Sequence, residues 1–269
     1  MVIYRRIFGN IDSDAKKILI EGALKVKLDW GFFNYDVDEQ AEKYDSIKRL
    51  VASLNLQDDV IGTTFTKGEV EQSDAVVWSG KATKGYPQPE DPIEVNRSTY
   101  RNSCHECGVH DEQYALFKIK NIAIRKNKIF ALNWIHDEVF VERAFYDAFF
   151  SKLGIDMVEV LNYRNGKTLD NVVQLKIPKS EVEIDMRDRE FVVCAICGRK
   201  KYSPTTKGFF PMPSYSGFDI IKTKEYFGSG RSAFNQILIS KDLMKSLMST
   251  KLAKYYNFIP ARLRNTGIN

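Results

Sequence analysis

All four cysteines of this chain lie in two copies of a Cys-x-x-Cys-Gly motif. Cys104 and Cys107 belong to the first copy, and Cys194 and Cys197 belong to the second. A Cys-x-x-Cys turn presents two sulfurs to one ion at about 2.3 Å, and two such turns supply the tetrahedral ligand set of zinc. The sequence therefore predicts one zinc site whose ligands are Cys104, Cys107, Cys194 and Cys197.

The predicted zinc site is structural. Because four thiolates fill every position of tetrahedral zinc, none is left for the water or substrate that a catalytic zinc binds. A redox pair or inert thiols are the alternatives, but a thioredoxin-type motif uses a single Cys-x-x-Cys at the start of a helix. The glycine after each motif, Gly108 or Gly198, is expected to adopt the positive φ that a tight turn requires.

The separation of the two motifs along the chain is large for a zinc module. The 86 residues 108–193 lie between the cysteine pairs, whereas compact zinc modules place about 12–20 residues there. A folded subdomain must therefore be inserted between the pairs. We predict a clasp that joins two distant segments, and not a compact zinc ribbon.

The chain contains three histidines, and each has a simple structural explanation. His105 and His110 could tune or replace a metal ligand, but four cysteines already complete the site. His136 precedes Asp137 and Glu138, where we predict the start of a helix. Capping and the helix dipole explain these side chains, and an acid–base cluster is the alternative.

Two polar runs near the second motif are candidates for phosphate contacts. Residues 228–232, Gly-Ser-Gly-Arg-Ser, are interpreted as a turn because they lead towards a strand and do not open a helix. Arg199, Lys200 and Lys201 are interpreted as solvated surface, with contact to a nucleic-acid backbone as the alternative. The sequence contains no His-Glu-x-x-His, Gly-x-Ser-x-Gly or Walker motif.

The composition indicates a folded protein of a reducing compartment. The chain has 269 residues, of which 43% are apolar, enough for one large domain or two modest ones. It has no apolar run of about eighteen residues, and its start lacks the apolar core and cleavage site of a signal peptide. We therefore expect a cytoplasmic protein with no membrane partner and with reduced cysteines.

The net charge of +5 is unevenly distributed along the chain. Residues 189–269 carry 14 Lys and Arg against 4 Asp and Glu, whereas residues 1–188 carry 26 against 31. A basic C-terminal third is compatible with a nucleic-acid partner, although a solvated surface beside the acidic part explains it equally well.

Periodicity predicts an α+β fold of mixed sheets with a few helices. Strands are expected at residues 17–20, 24–28, 75–78, 115–120, 130–134, 157–161, 172–177, 191–193, 237–240 and 258–260. Helices are expected at about residues 37–54, 138–153 and 243–252. Three prolines in residues 85–92 suggest a stiff connection, so we predict an N-terminal α+β region at 1–92 and a zinc-binding α+β domain at 93–269.

With both motifs in place, the chain resembles the double-CXXCG motif proteins, a bacterial group that includes immunity proteins against polymorphic toxins. The resemblance covers roughly residues 93–269, including the strand, helix and short strand of residues 235–260. It implies that the four cysteines bind zinc. It also implies that the protein binds and neutralises a cognate toxin without catalysis.

The sequence thus favours a non-catalytic, zinc-stabilised binding protein with a cognate bacterial toxin as its partner. A nucleic-acid-binding zinc protein that uses the basic C-terminal third is the alternative, and an enzyme with an unrecognised site is a third hypothesis. An inhibitor of a basic, nucleic-acid-cutting toxin is expected to offer an acidic surface, which residues 1–188 with their excess of Asp and Glu could supply.

Overall fold

The computed structural model of the protein describes residues 1–120, 122–124, 128–187, 189–204, 207–213 and 217–263. Contacts within the chain divide it into two compact units. The first consists of Met1–Glu69 with Thr205–Phe209, and the second of Val70–Pro204 with Phe210–Asn269. All four cysteines belong to the second unit.

Among its described residues, the first unit is built on a three-stranded antiparallel sheet. Its elements are β1 (Val2–Ile11), α1 (Asp14–Leu24), β2 (Gly31–Asp38), α2 (Tyr44–Leu54) and β3 (Gln57–Thr64). β1 lies between β2 and β3, and α1 contacts both β1 and α2. Ile7, Ile20 and Ile47 are fully buried in its core. The first unit therefore has a hydrophobic core of its own.

The strands predicted at residues 17–20 and 24–28 are wrong, because these residues belong to α1 and the loop after it. α1 begins after Ser13, whose side chain caps the first turn. Ile20 and Leu24 lie one helical turn apart, so both reach the core. The cap and this spacing outweigh the strand propensity of the isoleucines.

The second unit begins within α3 (Lys67–Gln72). Its further elements are β4 (Ala75–Trp78), β5 (Ala82–Thr83), α4 (Pro92–Thr99), β6 (Lys118–Ile119), β7 (Ile129–Leu132), β8 (Ile135–Glu142), α5 (Arg143–Phe145), β9 (Met157–Asn162), β10 (Thr168–Leu175), β11 (Phe191–Val193), β12 (Lys200–Tyr202), β13 (Phe210–Pro211), β14 (Ile220–Lys222), β15 (Ile237–Ser240), α6 (Lys241–Ser249) and β16 (Phe258–Arg262). Within the described residues, the strands form a six-stranded sheet (β5-β7-β8-β10-β9-β6), a five-stranded sheet (β13-β16-β4-β15-β14) and the hairpin β11-β12. These mixed sheets and helices confirm the predicted α+β fold.

β4 explains why residues ahead of the proline-rich segment belong to the second unit. All four of its residues are buried, and it runs antiparallel between β15 and β16. The C-terminal part of the chain thus supplies the strands on both edges of β4, and α6 also contacts this strand. The compact units consequently divide after Glu69, whereas the sequence suggested a boundary after residue 92.

Most of the first half of the helix predicted at 138–153 is strand β8, which is a correction to the prediction. β8 lies between β7 and β10 and runs antiparallel to both. Because the strand is central and largely buried on both faces, its apolar residues do not alternate. Helical turns begin only at Arg143, and Gly154, directly after the predicted helix end, closes them with a φ of 71°.

Elements nearer the C-terminus follow the sequence more closely. β9, β11, β15 and β16 confirm the strands predicted at 157–161, 191–193, 237–240 and 258–260. Ser240 caps α6 by accepting a hydrogen bond from the Leu243 backbone N–H at 3.2 Å. Of the helices in the described part of the chain, none combines the length and the apolar character needed to cross a bilayer.

Candidate metal centre

The two Cys-x-x-Cys-Gly segments fold into the same turn, here called the first knuckle (residues 104–108) and the second knuckle (residues 194–198). In each, the backbone N–H of the first cysteine donates to the carbonyl five residues later, at 2.9 Å and 3.1 Å respectively. The glycine N–H donates back to the carbonyl of the first cysteine, at 2.9 Å and 2.8 Å. The shared backbone pattern makes the knuckles equivalent sources of two sulfurs each.

The four cysteine sulfurs converge on one point. The Sγ atom of Cys104 lies 3.9 Å from that of Cys194, and the Sγ atom of Cys107 lies 3.6 Å from that of Cys197. All four lie within 4.8 Å of one another. A tetrahedral ion with sulfur ligands at about 2.3 Å has sulfur–sulfur edges of about 3.8 Å. The donor set therefore fits a single tetrahedral metal ion whose four coordination positions would all be filled by cysteine sulfurs.

Different elements carry the two knuckles to this point. The first follows α4, and an antiparallel bridge between Tyr100 and Gln113 closes the loop that contains it. The second connects β11 to β12, which pair Val193 with Lys200 on either side of the turn. Strands β6 to β10 lie between the knuckles in sequence. The arrangement matches the clasp that the sequence predicted.

Both knuckle glycines have the predicted positive φ, but their surroundings differ. Gly108 has a φ of 77° and Gly198 a φ of 69°. A Cβ atom on Gly108 would lie 2.2 Å from the backbone oxygen of Arg231, whereas a Cβ atom on Gly198 would meet nothing within 4 Å. The first knuckle is therefore packed against the backbone of the 228–232 turn, and the second faces open space.

We expect Gly108→Ala to be much more destabilising than Gly198→Ala. Each substitution places alanine in left-handed backbone at a cost of about 1–2 kcal/mol. At residue 108, relief of the clash with a backbone carbonyl should add about 1–3 kcal/mol. Urea unfolding of the two metal-loaded variants measures the difference directly. Equal free energies of unfolding would contradict the packing of Gly108 described above.

Arg199, directly after the second knuckle, ties the knuckles together. Its guanidinium donates to the Val109 carbonyl at 3.0 Å and pairs with Asp111 at 3.0 Å. Although burial alone would raise the pKa of Cys197, hydrogen bonds from Arg199, with smaller contributions from Cys107 and Cys194, lower it to about 6. The arginine thus favours the thiolate form that binds metal and offsets the negative charge of four thiolates.

Lys201 connects the first knuckle to the 228–232 turn. Its buried ammonium donates to the carbonyl oxygens of Cys107 at 2.9 Å, Gly230 at 2.5 Å and Ser232 at 3.0 Å. The turn interpretation of residues 228–232 is correct, and no helix follows that turn in the structure. The interpretation of all three basic residues 199–201 as solvated surface is wrong, since only Lys200 is exposed.

The histidines near the first knuckle lie outside the sulfur cluster. In the described part of the chain, the cluster of metal-binding side chains contains cysteines alone. His105 is exposed. His110 is buried, and its ring stacks on Tyr100 with 3.7 Å between the ring centroids. The structure therefore brings together the four cysteines that the sequence singled out and leaves both histidines apart from them.

The polar run at His136 does not cap a helix. His136 is exposed on β8, where its ring contacts that of Phe234. Asp137 and Glu138 are buried instead, and Glu138 pairs with Lys222 of β14 at 2.5 Å. Sequence reasoning missed this pair because its members are 84 positions apart and belong to no recognised motif. The contacts of Arg199 and Lys201 were likewise missed, because the sequence shows these residues only as part of a short basic run.

The chain was also compared with models of protein families, with curated proteins and with solved structures. No family model matches it, and neither the curated proteins nor the solved structures give a significant match. The geometry itself supports a centre of four clustered cysteines, Cys104, Cys107, Cys194 and Cys197, that can hold one metal ion.

Proposed function

We propose that the protein is a non-catalytic, zinc-stabilised binding protein whose partner is a cognate bacterial protein toxin. The observation that carries this proposal is an exposed apolar hairpin attached directly to the closed four-cysteine cluster. Four sulfurs in a tetrahedral arrangement favour zinc among common cellular ions. A filled coordination sphere supports a structural role, and the exposed hairpin supports a role in binding.

The apolar hairpin consists of β11, the second knuckle and β12. The exposed fractions of Phe191, Val192 and Val193 are 50%, 70% and 51%, and that of Ile196 at the tip is 64%. Single exposed apolar residues are common, but a contiguous group on one hairpin is characteristic of interaction sites. These side chains would lose contact with water if a protein partner covered them.

The backbone of β11 offers a second means of binding. Within the described residues, β11 pairs only with β12, so its other edge has no strand partner. A free edge can accept an added strand from another protein, with backbone hydrogen bonds giving affinity and side-chain contacts giving specificity. A groove of about 920 Å³ beside the strand, lined by Phe191, Val193 and Gly228, could receive partner side chains.

The metal ion would fix the orientation of this surface. Cys194 follows Val193 directly, so a metal-bound sulfur would anchor the end of β11. Pre-organised surfaces bind with a smaller loss of conformational entropy than mobile ones. This connection links the structural site to the proposed binding activity.

The nucleic-acid hypothesis receives less support from the same region. Arg199 and Lys201 donate to carbonyl oxygens and to Asp111 within the protein. Lys200 is exposed, but its ammonium lies over the Phe191 ring, 4.6 Å from the ring centroid. Binding through phosphate contacts must weaken steeply as salt concentration rises. Titration of labelled duplex and single strands at two salt concentrations tests this alternative.

We expect Val192→Asp to weaken partner binding strongly while leaving the fold intact. The side chain is exposed, so the free energy of unfolding should change by about 0.5 kcal/mol or less. A charge at the centre of an apolar contact should weaken binding at least about tenfold. The tagged chain is purified from its native host, and any retained protein is expressed alone to measure its toxicity.

Co-expression then decides the outcome. The wild-type chain should restore growth of cells that express the retained protein, and Val192→Asp should not. Ile18→Asp is the matched control, since Ile18 is similarly exposed but lies on α1. A non-toxic retained protein, or equal protection by the wild type and Val192→Asp, contradicts the proposal.

A further inference from the structure

A second cavity, separate from the apolar hairpin, lies beside β8, β10 and the segment that follows the first knuckle. Its volume is about 600 Å³, and its lining includes Glu138, Gln174 and His110. The exposed fractions of these residues are only 1%, 2% and 4%. Empty cavities in proteins are apolar, whereas ligand pockets of this size combine apolar walls with a few placed polar groups. Water fills polar cavities unless a ligand replaces it, and the placed polar groups of this lining make the cavity a candidate ligand site.

The buried carboxylate in this cavity is already satisfied by protein groups. One oxygen of Glu138 accepts hydrogen bonds from the Tyr100 hydroxyl at 3.1 Å and from the Lys222 ammonium at 2.5 Å. Its other oxygen accepts from the Gln174 amide at 2.9 Å. Glu138 thus requires no cation from outside, and the cavity floor is close to electrically balanced.

The carboxylates near the mouth of the cavity are mostly neutralised as well. Asp111 pairs with Arg199 at 3.0 Å, and Glu112 pairs with Arg101 at 3.1 Å. Glu181 is exposed to solvent and has no ion pair among the described residues. Little negative charge in the lining is therefore available to attract a cation.

Unlike Lys222, two other lysines of the lining, Lys176 and Lys179, have no carboxylate paired with them in the part of the chain that the structure describes. The Lys179 ammonium donates to the Tyr226 hydroxyl at 2.8 Å and lies 4.1 Å from the centre of that ring. Neither Lys179 nor Lys176 has a carboxylate within ion-pair distance in the described residues. Partial burial lowers the pKa of Lys179, although Asp137 and Asp111 act in the opposite direction and the side chain keeps contact with solvent. A bound anion would supply the missing partner.

His110 provides an acceptor on the same side of the cavity. Its Nδ1 atom lies 3.0 Å from the Asp111 carbonyl, which can only accept, so Nδ1 carries the hydrogen and Nε2 is an acceptor. Nε2 has no hydrogen-bond partner among the described residues, and it is not one of the fully enclosed unpaired atoms. The atom is therefore open to a donor in the cavity.

We propose that this cavity binds a small hydroxycarboxylate, with the carboxylate on Lys179 and the hydroxyl donating to Nε2 of His110. Tyr226 contacts both residues, because its hydroxyl accepts from Lys179 and its ring centroid lies 5.9 Å from that of the His110 ring. One small molecule can therefore contact both. The described lining contains lysines but no arginine, so it lacks the bidentate donor that often binds phosphate, and a carboxylate is the anion proposed.

The test uses the full-length, metal-loaded chain and three probes of similar shape. L-malate carries both proposed groups, succinate lacks the hydroxyl, and L-malamide lacks the charges. Isothermal titration calorimetry should give a dissociation constant for L-malate of about 1 mM or lower, and about tenfold weaker binding for each of the other two. Inorganic phosphate is included and should bind more weakly than L-malate.

Two variants and a control locate the binding. Lys179→Gln should weaken L-malate binding about tenfold, and Lys167→Gln, an exposed lysine outside the cavity lining, should leave it unchanged. His110→Phe retains a ring that can stack on Tyr100, and it should remove the preference for malate over succinate. If the role of His110 were purely structural, that preference would stay unchanged. Equal affinity for all three probes, no binding at about 20 mM, or full affinity in Lys179→Gln overturns the proposal.

Discussion

Replacement of Cys194 by serine should release the metal ion and unfold much of the second unit. Structural zinc sites contribute on the order of 10 kcal/mol to folding, which is comparable with the whole stability of a typical domain. The loss should be selective, because the first unit has its own core around Ile7, Ile20 and Ile47. Amide hydrogen exchange should therefore accelerate in β11, β12 and the first knuckle, while β1 to β3 stay protected.

Metal analysis of the purified protein provides the second readout. The wild type should contain about one equivalent of zinc, and Cys194→Ser only a small fraction of one. His105→Ala is the matched control, since it alters an exposed residue inside the first knuckle and should keep the full equivalent. Retention of stoichiometric metal by Cys194→Ser, or a wild type with little metal, would show that the cysteines have another role.

The metal centre could be predicted from the sequence because each of its two halves is formed by residues that are adjacent or nearly adjacent in the chain. A Cys-x-x-Cys-Gly segment fixes a turn, two sulfurs and a positive φ within five residues, and Gly108 and Gly198 both have the predicted backbone. The groups that stabilise the centre were not predictable in the same way. Arg199 and Lys201 donate to carbonyl oxygens in the first knuckle and directly after it, about ninety positions away, and nothing in their local sequence distinguishes them from surface charges.

The errors in secondary structure have a related origin. Residues 18 and 19 of α1 are apolar but exposed, so the run from Lys17 to Ile20 has the composition of a strand while its buried positions follow the helix. In β8 the opposite happened, because burial on both faces removed the alternation that identifies a strand. In both segments, contacts with residues distant in the sequence determined the secondary structure. A short stretch of sequence does not contain those residues.

The buried ion pair between Glu138 and Lys222 should make Lys222→Met one of the most destabilising single substitutions in the chain. Removal of one partner leaves the other charge buried, at a cost of about 3–5 kcal/mol. Although burial alone would lower it, Glu138 and Asp137 together raise the pKa of Lys222, so the ammonium is charged in the wild type. Urea unfolding at neutral pH measures the loss.

The stability of Lys222→Met should also acquire a distinctive pH dependence. Burial raises the pKa of Glu138, although the Lys222 ammonium acts in the opposite direction. Without Lys222, the Glu138 carboxyl of the folded protein stays protonated at pH values at which the same carboxyl is already ionised in the unfolded protein. The folded state then binds more protons than the unfolded state in that interval, so stability falls as pH rises through it. The deficit relative to the wild type should shrink as the pH is lowered through that interval.

A double substitution separates the unpaired charge from the loss of packing. In Glu138→Gln with Lys222→Met, the neutral amide can still accept from Tyr100, and no carboxylate at residue 138 is left buried without a partner. Asp137 keeps its hydrogen bond from the Asn235 backbone N–H at 3.0 Å. The double variant should therefore recover more than half of the stability lost in Lys222→Met and lose the added pH dependence. If the two single effects simply add, the pair is not coupled, and the cost of Lys222→Met comes from packing alone.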